Sequence, residues 1–127
     1  MSGNEVLLDT NAVGFFLDDI KFAKKNLNPK VKISISIITQ LEFLSNPELT
    51  PKNKFLFDEF TELIKIYPMS RENKILITQV VSIRKKYKLK LPDAIIAATA
   101  LANNATLISA DTVFSKVHNL KFQLIKS

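Results

Sequence analysis

The chain has 127 residues, of which 46% are hydrophobic, and a formal net charge of +6. This length predicts one α/β domain over residues 1–127, and the hydrophobic content excludes an intrinsically disordered chain. The chain has no cysteine and only two glycines. Disulfides, thiolate nucleophiles, cysteine metal sites and glycine-rich phosphate loops are therefore excluded.

The N-terminus shows no basic region followed by a long apolar stretch, and no apolar run approaches the ~18 residues of a membrane span. We therefore expect a soluble, unexported protein with no membrane partner. The absence of cysteine is compatible with a reducing cytoplasm. The positive charge favours an anionic partner such as nucleic acid, although solvated surface lysines would give the same net charge.

The first predicted strand comprises Val6, Leu7 and Leu8, which show no polar alternation. Such a run is typical of a strand buried on both faces in the middle of a parallel sheet. Asp9-Thr10-Asn11 follows at its carboxyl end, which is where open α/β sheets bind ligands. These residue types are also common in turns and helix caps, so the triplet could merely start a helix over residues 12–17.

The next elements alternate between helix and strand. Asp18-Asp19 precedes a predicted helical segment from Ile20 to Leu27. A β-branched strand from Val31 to Ile38 should be less deeply covered than the first strand. Another helix is predicted from Thr39 through Leu44.

Glu42 lies within that helix and has two interpretations. Thr39-x-x-Glu42 matches a capping box, in which the glutamate accepts a hydrogen bond from the backbone of the threonine. Alternatively, Glu42 points from the first helical turn to the carboxyl edge of the sheet and serves chemistry there. The sequence permits both interpretations.

Pro51 is expected to begin a helix to about Leu63, whose apolar face would contain Phe55, Leu56, Phe60 and Leu63. Residues 65–69 should form an edge strand, because Pro68 suits an edge better than a centre. The helix that starts near residues 70–73 ends in a basic segment containing Arg84, Lys85, Lys86, Lys88 and Lys90. These cations either complement the helix dipole or form a rim that contacts RNA phosphates.

The last third of the chain places two more acids at element ends. Asp93 precedes an alanine-rich helix, predicted from Ala94 to Ala102 and deeply buried, which it could simply cap. Asp111 follows a buried strand over residues 106–109, as Asp9 follows the first strand. A helical turn over 113–117 and an edge strand over 122–125 complete the chain, and the lone histidine, His118, is assigned no role.

Four acids thus stand at element ends: Asp9, Glu42, Asp93 and Asp111. If the two buried strands are neighbours, the carboxyl ends of both meet at one edge together with the two helix starts. Clustered carboxylates repel one another unless they are protonated or bind a cation. Oxygen ligands without histidine or cysteine favour Mg²⁺ or Mn²⁺. An acidic site in a basic protein is the arrangement expected for metal-assisted cleavage of a phosphate polymer.

The chain resembles a PIN domain, most of all the small VapC-type toxins of prokaryotic toxin–antitoxin pairs. The resemblance rests on four motifs in order: Leu8-Asp9-Thr10-Asn11, Glu42 within residues 38–44, Asp93 within residues 91–100, and Ser109-Ala110-Asp111 followed by Phe114. It implies a three-layer fold with a parallel sheet ordered 3-2-1-4-5 and helices on both faces. It also implies Mg²⁺-dependent endoribonuclease activity, homodimers and inhibition by a small antitoxin.

Carried over by position, the four acids match the catalytic and metal-binding tetrad of the family, while Asn11, Ser109 and Thr10 match supporting polar positions. One departure is Val113, because many relatives have a further acid two residues after the last tetrad acid. The number of bound metals, one or two, is therefore left open. Homodimerisation is also suggested by Phe55, Phe57 and Phe60, which are too many for one helix face.

Two other functions fit parts of the pattern. A nucleic-acid-binding or partner-regulated module with weak or no nuclease activity would share the fold, but the complete tetrad argues against it. A phosphatase or receiver-like domain also uses acids at this edge. It would normally have a lysine at the end of a late strand, and Ser109-Ala110-Asp111 offers none.

Overall fold

The computed structural model describes residues 4–18 and 30–126. The elements are β1 (Glu5–Leu8), α1 (Thr10–Asp18), β2 (Lys32–Ser36), α2 (Ile37–Leu44), α3 (Pro51–Thr61), β3 (Lys65–Tyr67), α4 (Lys74–Tyr87), α5 (Leu91–Ala102), β4 (Thr106–Ser109), a 3-10 helix (Thr112–Lys116) and β5 (Phe122–Leu124). The helical segment predicted from Ile20 to Leu27 lies outside the described residues.

The strands form one parallel sheet in the order β3-β2-β1-β4-β5. β1 is the central strand: Leu7 is opposite Ser34 of β2 on one side and Leu107 of β4 on the other. The predicted sheet order and the adjacency of the two buried strands are therefore confirmed. The carboxyl ends of β1 and β4 lie side by side at one edge.

Helices cover both faces of the sheet, as predicted. α4 and α5 pack over the face that contains Leu7 and Leu107. α1 and Phe57 of α3 pack over the face that contains Val6, Leu8 and Ile108. β1 therefore contributes side chains to both halves of the core, which explains its continuous apolar sequence.

α5 is deeply buried, with every residue from Ala94 to Ala100 in the interior. Its small side chains allow the backbone to approach the sheet, where α5 contacts both β2 and β4. β2 is less deeply covered than β1, as expected, because Lys32 is exposed and Ile33 only partly buried, although Ser34 and Ser36 are buried. The Ser34 hydroxyl donates to the Val6 carbonyl at 3.0 Å, so this buried polar group is satisfied.

β2 ends and α2 begins two residues earlier than predicted. Ser36 caps α2, and its Oγ accepts a hydrogen bond from the Ile38 N–H at 3.1 Å. Thr39, the predicted start of the helix, is buried, and its Oγ has no hydrogen-bond partner in the described part of the chain. The β-branched run through Ile38 favours a strand locally, but the serine cap turns the chain into helix at Ile37.

The predicted apolar face of α3 is partly wrong, because the helix is rotated so that Phe57 and not Phe55 faces the core. Phe57 is fully buried and stacks on Phe43 with ring centroids 4.3 Å apart. Phe55 is 62% exposed, and Leu63 lies beyond the end of the helix at 86% exposure. Only Phe55 of the three phenylalanines thus remains as an apolar surface residue that could support dimerisation.

The other predicted boundaries shift by a few residues. β3 is an edge strand as predicted but ends at Tyr67, immediately before Pro68. α4 is capped by Asn73, whose side chain accepts from the Leu76 N–H. His118 is exposed, as predicted. No helix within the described ranges is long and apolar enough to span a bilayer.

Phe57 and Phe55 provide a matched test of this packing. Phe57→Ala should lower the free energy of unfolding by about 3–5 kcal/mol, because it leaves a cavity against Phe43. Phe55→Ala should change it by less than about 0.5 kcal/mol, because that ring lies in solvent. Urea unfolding of both variants checks the prediction, and equal effects would contradict the observed rotation of α3.

Candidate functional site

An open cleft of about 500 Å³ lies at the carboxyl edge of the sheet. Its lining includes Asp9 after β1, Glu42 in α2, Asp93 in the first turn of α5 and Asp111 after β4. All four predicted site acids therefore reach one cleft from four separate elements. Thr10 and Asn11 also line it.

Asp9 is the most enclosed of the four, at 6% exposure. Its Oδ1 accepts from the Thr10 N–H at 2.8 Å, and its Oδ2 accepts from the Ser109 hydroxyl at 2.7 Å. Burial raises the pKa of Asp9, and the charges of Glu42 and Asp111 raise it further, whereas the two hydrogen bonds oppose the shift.

Asn11 and Ser109 join the loops that follow β1 and β4. The Asn11 Oδ1 accepts from the Ala110 N–H at 2.9 Å, and its Nδ2 donates to the Asp9 Oδ2 at 3.3 Å. The Ser109 Oγ, which donates to Asp9, also accepts from the Asp111 N–H at 3.0 Å. These two side chains therefore set the position of Asp9 relative to the Asp111 backbone.

Glu42 is exposed and lies one turn further into its helix than predicted. Its Oε1 accepts from the Thr10 hydroxyl at 2.6 Å. The capping-box interpretation is wrong, because Ser36 caps α2 and Glu42 is engaged with the loop after β1 instead. The Thr10 side chain therefore links Glu42 in α2 to the residue that follows Asp9.

Asp93 does not cap α5, so the capping interpretation is wrong here too. The helix begins at Leu91 and its cap residue is Lys90, which places Asp93 inside the first turn. Partial burial raises the pKa of Asp93 from 3.8 to about 6, and the charges of Asp9, Asp111 and Glu42 add to the shift. Lys90 acts in the opposite direction.

Asp111 is exposed and does cap a helix. Its Oδ1 accepts from the Val113 N–H at 3.0 Å at the start of the 3-10 helix. Val113 is partly buried and packs against the core around Phe114. The position at which many relatives have a further acid is therefore an apolar packing position in this chain.

The donor set suits a hard cation. The cleft offers carboxylate, hydroxyl and amide oxygens, the ligand types that Mg²⁺ and Mn²⁺ prefer, and neither histidine nor cysteine lines it. Within residues 4–18 and 30–126, no three acid or histidine side chains are grouped closely enough to enclose a metal ion as they stand. Burial is the main cause of the raised pKa values of Asp9 and Asp93, and the like charges of the other cleft acids add to both shifts.

The structure divides the predicted basic segment into two parts. Arg84, Lys85 and Lys86 occupy the last turn of α4, as the dipole interpretation requires, and Lys88 follows in a left-handed conformation. Lys90 lines the acid cleft. Sequence reasoning assigned no site role to Gly14, Phe43, Asn46 and Pro92, which also line the cleft.

A family model described as the PIN domain matches residues 6–120. A search of curated proteins found no match.

Several solved structures are similar over nearly the whole chain. VapBC2 from Rickettsia felis, bound to a DNA fragment from its promoter, has a TM-score of 0.74 at 22% identity and covers 94% of this chain and 98% of that one. A toxin–antitoxin complex from Klebsiella pneumoniae has a TM-score of 0.71 at 28% identity and covers 91% of this chain and 94% of that one. VapBC-1 from nontypeable Haemophilus influenzae has a TM-score of 0.72 at 20% identity, covering 94% and 97%.

The raised pKa of Asp93 predicts a pH dependence of stability in chelator. Between pH 3.8 and about 6 the folded protein binds more protons at Asp93 than the unfolded chain does. The free energy of unfolding contributed by this group must therefore fall as the pH rises through that window. Asp93→Asn removes the titration, so the variant should gain stability relative to the parent from pH 4 to 7. Urea unfolding across this range checks the prediction, and a constant difference between the two proteins would contradict it.

Proposed function

We propose, from the finding that this chain belongs to the PIN domain family, that it is a metal-dependent endoribonuclease that hydrolyses RNA phosphodiester bonds. The observation that carries the proposal is the convergence of Asp9, Glu42, Asp93 and Asp111 on one cleft from four separate elements. Local capping accounts for Asp111 and suits Asp9, which precedes α1 and whose carbonyl accepts from the Val13 N–H, but it does not account for Glu42 or Asp93, since Ser36 caps α2 and Lys90 is the cap residue of α5. Capping therefore gives no reason to bring Glu42 and Asp93 beside the other two acids.

Asp9, Glu42, Asp93 and Asp111 would hold the metal, which we propose to be Mg²⁺ or Mn²⁺. When bound, such an ion lowers the pKa of a water molecule and stabilises negative charge on a phosphate. The apolar Val113, which packs against the core, reduces the number of acids available for a second ion.

The remaining cleft residues position these ligands. Thr10 holds the Glu42 carboxylate through its hydroxyl, and the Asp9 carboxylate is held by Ser109 at the end of β4 and by Asn11 in the first turn of α1. These bonds occupy lone pairs on both carboxylates while leaving other lone pairs free to face the cleft. None of these cleft side chains serves as a covalent nucleophile, so water would attack the phosphodiester directly.

The biological role that we propose is that of the toxin in a type II toxin–antitoxin pair. Support comes from the Klebsiella pneumoniae toxin–antitoxin complex, which is similar over 91% of this chain at 28% identity. The proposed partners are accordingly an RNA substrate, a cognate antitoxin protein and a second copy of the chain, and the proposed location is the cytoplasm. The +6 net charge suits an RNA substrate.

The direct test of the nuclease is incubation of the purified protein with total RNA, with and without Mg²⁺. We expect cleavage only with the metal. Asp9→Asn, Glu42→Gln, Asp93→Asn and Asp111→Asn should each reduce the cleavage rate by roughly 100-fold or more, because each removes an anionic ligand from an ion worth several kcal/mol. The matched control is Glu59→Gln, an exposed acid on α3, which should cleave like the parent.

Thermal melts of the same variants separate metal binding from capping. In chelator, the Glu42, Asp93 and Asp111 amide variants should melt at or above the temperature of the parent, because each relieves repulsion in the cleft. Asp9→Asn also loses one of the two oxygens that accept from Thr10 and Ser109, so it should melt below those three variants. Added Mg²⁺ should raise the melting temperature of the parent more than that of any variant. If all four variants gain the parent's full Mg²⁺ stabilisation, the acids do not bind metal. RNA binding without cleavage by the parent would instead support a regulatory module with the same fold.

Dimerisation is tested separately. Sedimentation equilibrium at high micromolar concentration should show a homodimer if the proposed assembly is correct. A monomer under these conditions would remove the dimer from the proposal and leave the nuclease assignment intact.

A further inference from the structure

A second concavity lies beside the acid cleft, along the connection between α4 and α5. This groove has a volume of about 510 Å³ and an apolar floor formed by Val80, Val81, Leu89 and Leu91. Val80 and Leu89 are anchored in the core, whereas Val81 and Leu91 are 46% and 48% exposed. Two apolar side chains are thus half-exposed at a preformed depression.

The rim of the groove is cationic. Arg84 and Lys85 from the last turn of α4, together with Lys88, complete its lining. No acidic residue is among the lining residues, all of which belong to the described part of the chain. An apolar floor with positive charges around it suits a ligand that has an uncharged flat body and a negatively charged backbone.

The groove and the acid cleft meet at Lys90. Leu89 and Leu91 line the groove, and Lys90, between them in sequence, lines the cleft and lowers the pKa of Asp93. One short connection therefore has its apolar side chains in the groove and its cation in the cleft.

We propose that this groove binds the single-stranded RNA adjacent to the bond cleaved in the acid cleft. Arg84, Lys85 and Lys88 contact its phosphates, and the apolar floor receives one unpaired base. This inference rests on the proposed function and adds to it a subsite on the α4 side of the cleft. Cationic grooves that combine backbone contacts with base-packing surfaces are the usual means of binding single strands.

The charges argue against a second copy of the chain as the occupant. A symmetric contact uses the same patch on both subunits, so a dimer centred on the groove would bring two sets of Arg84, Lys85 and Lys88 together. Continuity with the cleft argues for RNA over an acidic peptide. A phosphodiester held among the four acids must extend across the neighbouring surface, and the surface on this side is positively charged.

The test measures binding of a labelled single-stranded RNA in chelator, where no cleavage is expected. The variant Arg84→Gln/Lys88→Asn removes two rim cations; asparagine suits position 88 because the residue there has φ of 57°. If both cations contact phosphates, the slope of log Kd against log salt should fall by about 1.4, at ~0.7 per contact for single strands. Fluorescence anisotropy across a salt series gives this slope.

The matched control is Lys32→Gln/Lys121→Gln, which removes the same charge from exposed lysines at the amino ends of β2 and β5. These positions lie at the opposite edge of the sheet from the cleft. The control should keep the slope of the parent. Equal slopes for the control and the rim variant would overturn the phosphate contacts.

The base contact is tested with Val81→Asn and a series of RNAs in which one abasic nucleotide is moved along the strand. The parent should lose affinity at one position of the series, and the variant should lose this sensitivity. A parent that is indifferent to every abasic position would overturn the base contact. Sedimentation of Val81→Asn adds a check, since conversion of a parental dimer to a monomer would identify a second copy as the occupant.

Failure of this inference differs from failure of the proposed function. A parent that cleaves RNA with Mg²⁺ while the rim variant binds RNA like the control would remove the groove and keep the nuclease. A parent that neither binds nor cleaves RNA would remove both.

Discussion

The parallel pairing of β1 with β4 is the constraint on which the cleft depends. Leu8 lies opposite Ile108 in the register, and the Asp9 N–H donates to the Ile108 carbonyl at 3.0 Å. The hydrogen bonding between β1 and β4 thus continues to the backbone of Asp9 itself. Because both strands end at the same edge, Ser109 can donate to the Asp9 carboxylate while it accepts from the Asp111 backbone. Two loops that are distant in sequence become one structural unit.

The protein tolerates electrostatic strain at this unit because the scaffold around it is well packed. Asp93 has a pKa of about 6, and that of Asp9 is also raised, so both carboxylates are less stable as anions than in water. Asp93 projects from α5, in which every residue from Ala94 to Ala100 is buried, and Asp9 follows β1, whose last three residues are buried. In a mobile loop, repulsion between these carboxylates would move them apart. Here the buried elements keep them in place, as expected where function takes precedence over local stability.

Several local patterns in this chain have two solutions, and tertiary packing selects between them. Thr39 and Glu42 form a plausible capping box, yet Ser36 caps the helix and Glu42 bonds to Thr10. Asp93 is a good cap residue, yet α5 begins at Leu91. Both predictions used a residue preference within a short window. Preference identifies which residues can end a helix, but it does not identify which of two candidates is needed once neighbouring elements are packed.

The sequence by itself determined the two buried strands, the helices and the four acids at element ends, because apolar periodicity and residue type are local properties. With the family resemblance, it also predicted the order of the sheet. Only the tertiary structure decided that Phe57 and not Phe55 enters the core, that Ser34 and Ser36 are buried beneath α5, and that Lys90 lines the cleft while Arg84 and Lys88 line a groove beside it. The physical reason is that these outcomes depend on the face that each element presents to its neighbours. That face is set by long-range packing, which a pattern read along one element does not contain.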